Sequence, residues 1–187
     1  MLDIMLDLES MGCTPDSAIV GIGAVEFDLS AGRVGNTFFR AVNLADAVRQ
    51  GCKMDPGTVA WWLSQSKEAQ RAITQSTYAL KHALTEFSDF VGSCGPQKEV
   101  RMWGNGPSFD NAMLAHAYHA CDIKQPWAFW NDRCVRTLRA LYPSIQADEF
   151  VGEKHNAVDD AMAQVQHLIK IRESVRARVA PKAVANA

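Results

Sequence analysis

Two acids one residue apart, Asp7 and Glu9, stand near the start of this 187-residue chain. Strand side chains alternate with a period of 2, so an extended segment here projects both carboxylates from one face. A third acid, Asp110, ends the run Trp103-Gly104-Asn105-Gly106-Pro107-Ser108-Phe109-Asp110, in which a strand, a glycine turn and a helix start aim it together. A later run, His155-Asn156-Ala157-Val158-Asp159-Asp160-Ala161, sets a histidine and two more acids at the start of a long helix. If Asn156 caps that helix, Asp159 falls at its third position as a capping-box acid, which leaves Asp160 to face a site and His155 just outside the cap. Ala157 and Ala161 keep one face of the helix small enough to approach a sheet. Taken singly these features are weak. An Asp-x-Glu among 21 acidic residues is commonly a solvated strand end, and an Asp near a helix N-terminus is favoured by the dipole alone. Should Asp7, Glu9, Asp110 and Asp160 converge, four carboxylates would repel one another. One pair about 4 Å apart costs on the order of 4 kcal/mol at an effective dielectric near 20. Such a cluster requires protons or cations, and an all-oxygen donor set favours Mg²⁺ or Mn²⁺ over zinc.

The elements that must carry these residues are legible in outline. Residues 2–8 read as a strand, 18–27 as a second and almost wholly apolar strand, and 36–42 as a third after a hairpin-length connection, giving a three-stranded meander. From Leu44 the pattern turns helical; Asp55-Pro56-Gly57-Thr58 punctuates it, and 66–75 is predicted as a short helix. Residues 77–91 place Leu80, Ala83, Leu84, Phe87 and Phe90 at helical spacing up to Gly95-Pro96. A short strand is expected at 100–103, a helix capped by Ser108 up to about Cys121, and a helix over 134–141 after a brief extended piece. The long helix spans 156 to about 176. The whole is one α/β domain with a mixed sheet, 1–174, followed by a C-terminal tail, 175–187.

A net charge of −2 argues against a protein that holds duplex through many phosphate contacts. An enzyme gripping a strand end remains open, since bound cations would supply positive charge. Cys13, Cys52, Cys94, Cys121 and Cys134 are scattered and odd in number, neither a disulfide framework nor a zinc site. The acidic N-terminus is no signal peptide, and no apolar run of ~18 residues exists to span a membrane. A cytoplasmic protein is expected. His116 and His119 could hold a metal but lack an acid or cysteine partner, and the basic stretch Arg172, Arg176, Arg178 and Lys182 reads as a solvated helix end.

Asp7-x-Glu9, Phe109-Asp110-Asn111 and His155-x-Ala157-x-x-Asp160, in this order, resemble the motifs of the DEDDh 3′→5′ exonucleases over about residues 1–170. Within that family, phage exonuclease A and its bacterial exoribonuclease relatives look most similar, on the apolar second strand, the Trp61-Trp62 pair with Gln65, and the Asn105-Gly106 turn. The resemblance implies a ribonuclease-H-like fold with a mixed five-stranded sheet flanked by helices. It also implies two Mg²⁺ or Mn²⁺ ions held by Asp7, Glu9, Asp110 and Asp160, with His155 as general base. Phosphodiester hydrolysis would release nucleoside 5′-monophosphates from single-stranded 3′ ends or overhangs. RNA is slightly favoured over DNA, and a homodimer is implied. Many members carry a threonine pair after the first-motif Glu, where this chain has Ser10-Met11-Gly12; that segment would line the terminal-nucleotide pocket, partly through its backbone. Phe109 and one of Trp61 and Trp62 are expected against the nucleobase. The alternative is a non-catalytic or polymerase-associated nucleic-acid-binding module on the same fold, which would be expected to lack at least one of these five residues.

Overall fold

The computed structural model describes residues 1–179. Its strands are β1 (Asp3–Ser10), β2 (Ile19–Asp28), β3 (Arg33–Ala41), β4 (Arg101–Gly104) and β5 (Asp132–Cys134). They form one sheet in the order β3-β2-β1-β4-β5. The first three pair antiparallel, as the meander predicts, and β4 and β5 add in parallel beyond β1. β2 is apolar almost throughout because it is covered on both faces; every residue from Ile19 to Phe27 is buried.

Alternation along β1 sorts its residues between two layers. Ile4, Leu6 and Leu8 enter the larger core with α1 (Leu44–Arg49), α2 (Pro56–Leu63), α3 (Lys67–Thr74), α4 (Leu80–Cys94) and α5 (Asp110–Ala120). Met5 points the other way, into a smaller core with Val25, Phe27 and Trp103 beneath α6 (Val135–Leu141) and α7 (Ala157–Val179). Asp3, Asp7 and Glu9 share that second face.

Several boundaries differ from the sequence expectation: β3 starts at Arg33 rather than Asn36, and α4 ends at Cys94 rather than Val91. α4 starts at Leu80 rather than Thr77, because Ser76 Oγ donates to the Ala41 carbonyl (2.7 Å) and Asn43 N–H donates to the Tyr78 carbonyl (2.8 Å), holding that segment extended beside the end of β3. Ser108 caps nothing. Phe109 N–H closes a turn on the Gly106 carbonyl (2.8 Å), so α5 opens only at Asp110. α7 runs through the start of the expected tail to Val179, and 180–187 lie outside the described residues. Among the described residues no helix is long and apolar enough to cross a membrane.

Candidate active site

Asp7 and Glu9 lie at the C-terminal end of β1, and their antiparallel partners on β2 are Gly23 and Gly21. Both glycines matter sterically. A Cβ on Gly21 would sit 3.2 Å from the Glu9 Cβ, and one on Gly23 would sit 2.6 Å from the Ala157 carbonyl oxygen and 2.5 Å from its Cβ. The bare backbone at Gly23 therefore admits the first turn of α7 against the sheet beside Asp7. Ala157 and Ala161, both fully buried, complete that close approach.

The start of α7 presents the third acid. Asn156 is its cap, with Oδ1 accepting from Val158 N–H (3.1 Å) and Asp159 N–H (3.4 Å). The capping-box expectation for Asp159 needs correction: its carboxylate accepts from Glu153 N–H (2.9 Å), further back in the loop, instead of from the cap residue. Asp160 accepts from the backbone N–H of His155 (3.0 Å). His155 itself is left-handed, φ 64°, a conformation that costs a non-glycine residue of order 1 kcal/mol or more and persists where surrounding contacts enforce it. The Asp160 hydrogen bond is one such contact, and it ties the backbone of the histidine directly to an acid of the cluster.

Asp7, Glu9 and Asp160 offer carboxylate oxygens that all lie within 4.8 Å of one another. Asp110 stands outside that group but at its edge. It is buried at the start of α5, with its carboxylate beside Gly104, where a Cβ would lie 3.3 Å from Asp110 Oδ2. The next residue, Asn111, anchors α5 by donating Nδ2 to the Met102 carbonyl (3.0 Å) and to Asp132 Oδ1 (2.7 Å).

Electrostatics separate these acids from ordinary buried ones. Burial, then the charges of Asp110, Glu9 and Asp160, hold Asp7 well above the usual carboxylate range, opposed only by a hydrogen bond from Gln164 Nε2 (2.8 Å). Burial, then Asp160 and Asp110, push Glu9 up to about 8. Burial raises Asp110 to about 6, moderated by backbone N–H groups and by Arg136. Asp160 is raised by burial too, against the His155 hydrogen bond. Among the described residues none of the four joins a salt bridge. Asp3, on the same strand face, is the contrast. It is held by Arg101 Nε and Nη2 (2.7 Å each) and by Trp103 Nε1 (2.8 Å). One end of β1 thus carries a neutralised acid and the other a set of acids with no protein cation at ion-pair distance among the described residues, a donor set that fits hard divalent ions.

Beside Glu9 an open cavity of about 410 Å³ is lined by Ser10, Gly12, Trp61, Trp62 and Phe109, together with Cys13, Asp55 and Thr58. The two tryptophans differ in kind. Trp62 is 3% exposed and spends its indole N–H on the Ser10 carbonyl (2.9 Å). Trp61 is 41% exposed, and its ring meets the His155 ring edge-on at 5.0 Å between centroids. The Met11 side chain is buried in the core, away from this cavity, so only its backbone could serve a ligand there. Sequence reasoning missed Gln164 and Asp55. Gln164 was recoverable, lying four residues after Asp160 on the same helix face; Asp55, the side-chain cap of α2, gave no signal beyond a turn residue.

Gly23→Ala is the sharpest test of this packing. The added methyl meets backbone, which cannot swing aside, so α7 must lift at its first turn. The expected cost is about 1–3 kcal/mol of stability, with a larger loss of activity than of fold as Asp160 and His155 leave Asp7. Urea denaturation and turnover measured together check it; unchanged values in both would show that α7 is not held there.

Residues 2–172 match the Rv2179c-like family, described as a 3′-5′ exoribonuclease Rv2179c-like domain. The exodeoxyribonuclease of Enterobacteria phage T4 is 26% identical, across 73% of this chain and 70% of its own length. Among solved structures, the nuclease domain of 3′hExo, a DEDDh family member bound to rAMP, is similar with a TM-score of 0.64 at 12% identity, over 92% of both chains. Exonuclease X in complex with 5′ overhanging duplex DNA is similar with a TM-score of 0.60 at 16% identity, again over 92% of both. The mixed five-stranded sheet with its flanking helices is thus the ribonuclease-H-like fold of these exonucleases.

Proposed function

From a chain that belongs to the Rv2179c-like 3′-5′ exoribonuclease domain family and shares the fold of DEDDh exonucleases, we propose a 3′-5′ exonuclease that depends on divalent metal, trims single-stranded 3′ ends or overhangs, RNA in preference to DNA, and releases nucleoside 5′-monophosphates. The observation that carries this reading is the group of carboxylates in no ion pair among the described residues, which meets through Glu9 a cavity of about 410 Å³. The family's description supports RNA; the phage relative is named for DNA.

In this reading Asp7, Glu9, Asp110 and Asp160 hold two Mg²⁺ or Mn²⁺ ions. When bound, such ions make water a stronger nucleophile and balance charge on a departing 3′-oxygen. The terminal nucleoside occupies the cavity beside Glu9, with Phe109 and Trp61 against the base and the backbone of Ser10, Met11 and Gly12 along the sugar. The buried Trp62 braces this wall from behind. His155, just outside the α7 cap, takes the proton of the attacking water at its imidazole. Gln164 fixes the Asp7 carboxylate. A cytoplasmic homodimer belongs to the same reading, through the family resemblance.

The test uses matched RNA and DNA oligonucleotides labelled at the 5′ end, with Mg²⁺ or Mn²⁺, resolved over time. Ladders that shorten stepwise from the 3′ end, faster on RNA, are expected. Faster DNA ladders would reverse the substrate preference, and intact oligonucleotides with both metals would remove the activity itself.

A further inference from the structure

The acid cluster opens on more than one side, and the nucleoside cavity beside Glu9 takes only one of them. On the Asp160 side a cleft of about 180 Å³ is lined by Asn105, Arg139, Asp160, Gln164 and His167. It shares Asn105, Arg139 and His167 with a wider groove of about 420 Å³, to which Arg136 also contributes, so the two are continuous.

The walls of this channel are unusual for a chain of net charge −2. Arg136 and Arg139 are three apart on α6, which sets them on one helix face. Both are exposed, and among the described residues neither guanidinium has an ion pair or a side-chain hydrogen bond. Arg33, Arg40, Arg49 and Arg101 have acid partners; Arg71 and Arg133 lack them too among the described residues, so what sets Arg136 and Arg139 apart is their place along the channel. Two unpaired guanidiniums therefore flank the acid cluster, close enough for Arg136 to bias Asp110. At the narrow end, Asn105 Oδ1 and Gln164 Oε1 are buried without a hydrogen-bond partner among the described residues, and a buried orphan acceptor calls for a donor such as a sugar hydroxyl or a bridging water.

We propose that this channel is the track of the strand upstream of the scissile bond, with Arg136 and Arg139 each taking a backbone phosphate. The inference rests on the exonuclease reading and extends it to substrate the reaction does not touch. A carboxylate cluster repels the polyanion it must cleave, and two planar, permanently charged forks beside it supply attraction without entering the chemistry. They also give the strand its direction: nucleoside end toward Trp61 and Phe109, remaining chain over α6.

The experiment compares di- and octaribonucleotide hydrolysis between 50 and 200 mM salt for wild type, Arg136→Ala/Arg139→Ala and Arg136→Lys/Arg139→Lys, with melting curves as a check on folding. In wild type the octamer has the lower KM, with a steep salt dependence. The alanine pair should raise the octamer KM roughly tenfold and flatten its logarithmic salt slope by about 1.4, at about 0.7 for each single-strand phosphate that an arginine no longer neutralises. The lysine pair keeps the charge and so keeps the slope. An octamer KM and salt slope unchanged in the alanine pair would overturn the track, as would a lysine pair that loses as much slope as the alanine pair. Wild type that cleaves neither oligonucleotide would overturn the exonuclease reading, and this track with it.

Discussion

Asp7→Asn is expected to abolish turnover while leaving the metal-free protein at least as stable as wild type. The activity loss follows from position. Asp7 lies among Glu9, Asp160 and Asp110, and its charge is the one most affected by all three. Removing a carboxylate that would hold the proposed ions would forfeit several kcal/mol of transition-state stabilisation, roughly 10³-fold or more in kcat. The stability result follows from the same crowding. A neutral isostere still accepts the Gln164 hydrogen bond through Oδ1 but no longer repels three acids. An ordinary structural acid would behave in the opposite way. Asp3→Asn, which strips the charge from the Arg101 pair, should destabilise. Asp160→Ala should match Asp7→Asn in activity but lose some stability, because it also releases His155 N–H. Thermal melts in EDTA beside kcat measurements check the set. An Asp7→Asn protein that degrades oligonucleotide at the wild-type rate would remove Asp7 from the mechanism.

Millimolar Mg²⁺ or Mn²⁺ should raise the melting temperature, and more at pH 8 than at pH 5.5. Glu9 titrates near 8 in the metal-free fold and Asp110 near 6, both raised from the ordinary carboxylate range. A carboxyl whose folded pKa is raised binds more protons folded than unfolded. Its favourable contribution is whole below the unfolded pKa and is lost as pH rises through the folded one. Metal-free stability should therefore decline from about pH 4.5 to about pH 8, by on the order of a few kcal/mol if Glu9 alone is counted. Cations reverse the loss because they bind the deprotonated acids of the folded state. At a hundredfold excess over Kd they add about 2.7 kcal/mol, or about 5–10 °C for a domain of this size. Calorimetry with and without metal at both pH values measures this. Equal melting temperatures with EDTA and with metal at pH 8 would count against a carboxylate metal site.

What the sequence determined by itself is the local part of this protein. Period-2 alternation placed Asp7 and Glu9 on one strand face, apolar continuity marked β2 as a strand, and Asn156 marked the start of α7 with His155 just outside it. Each of these is set by a few neighbouring residues. Helix starts were legible only where a nearby side chain made the cap, as at Asn156; at Ser108 and Thr77 backbone hydrogen bonds that no capping pattern records decided instead. Tertiary structure decided everything that turns on which segments meet. Asp3 and Asp7 are indistinguishable by alternation, yet Arg101 and Trp103, about a hundred residues away, neutralise one and leave the other for a cation. Trp61 and Trp62 are adjacent, yet one is exposed and the other is buried wall. Nothing local to Gly23 tells that Ala157 lies against it. Nothing in the helical pattern of 134–141 tells that Arg136 and Arg139 line the channel beside Asp160. The physical reason is common to all four: charge neutralisation, exposure and close packing are set by groups from remote elements, and periodicity carries no record of which remote element arrives.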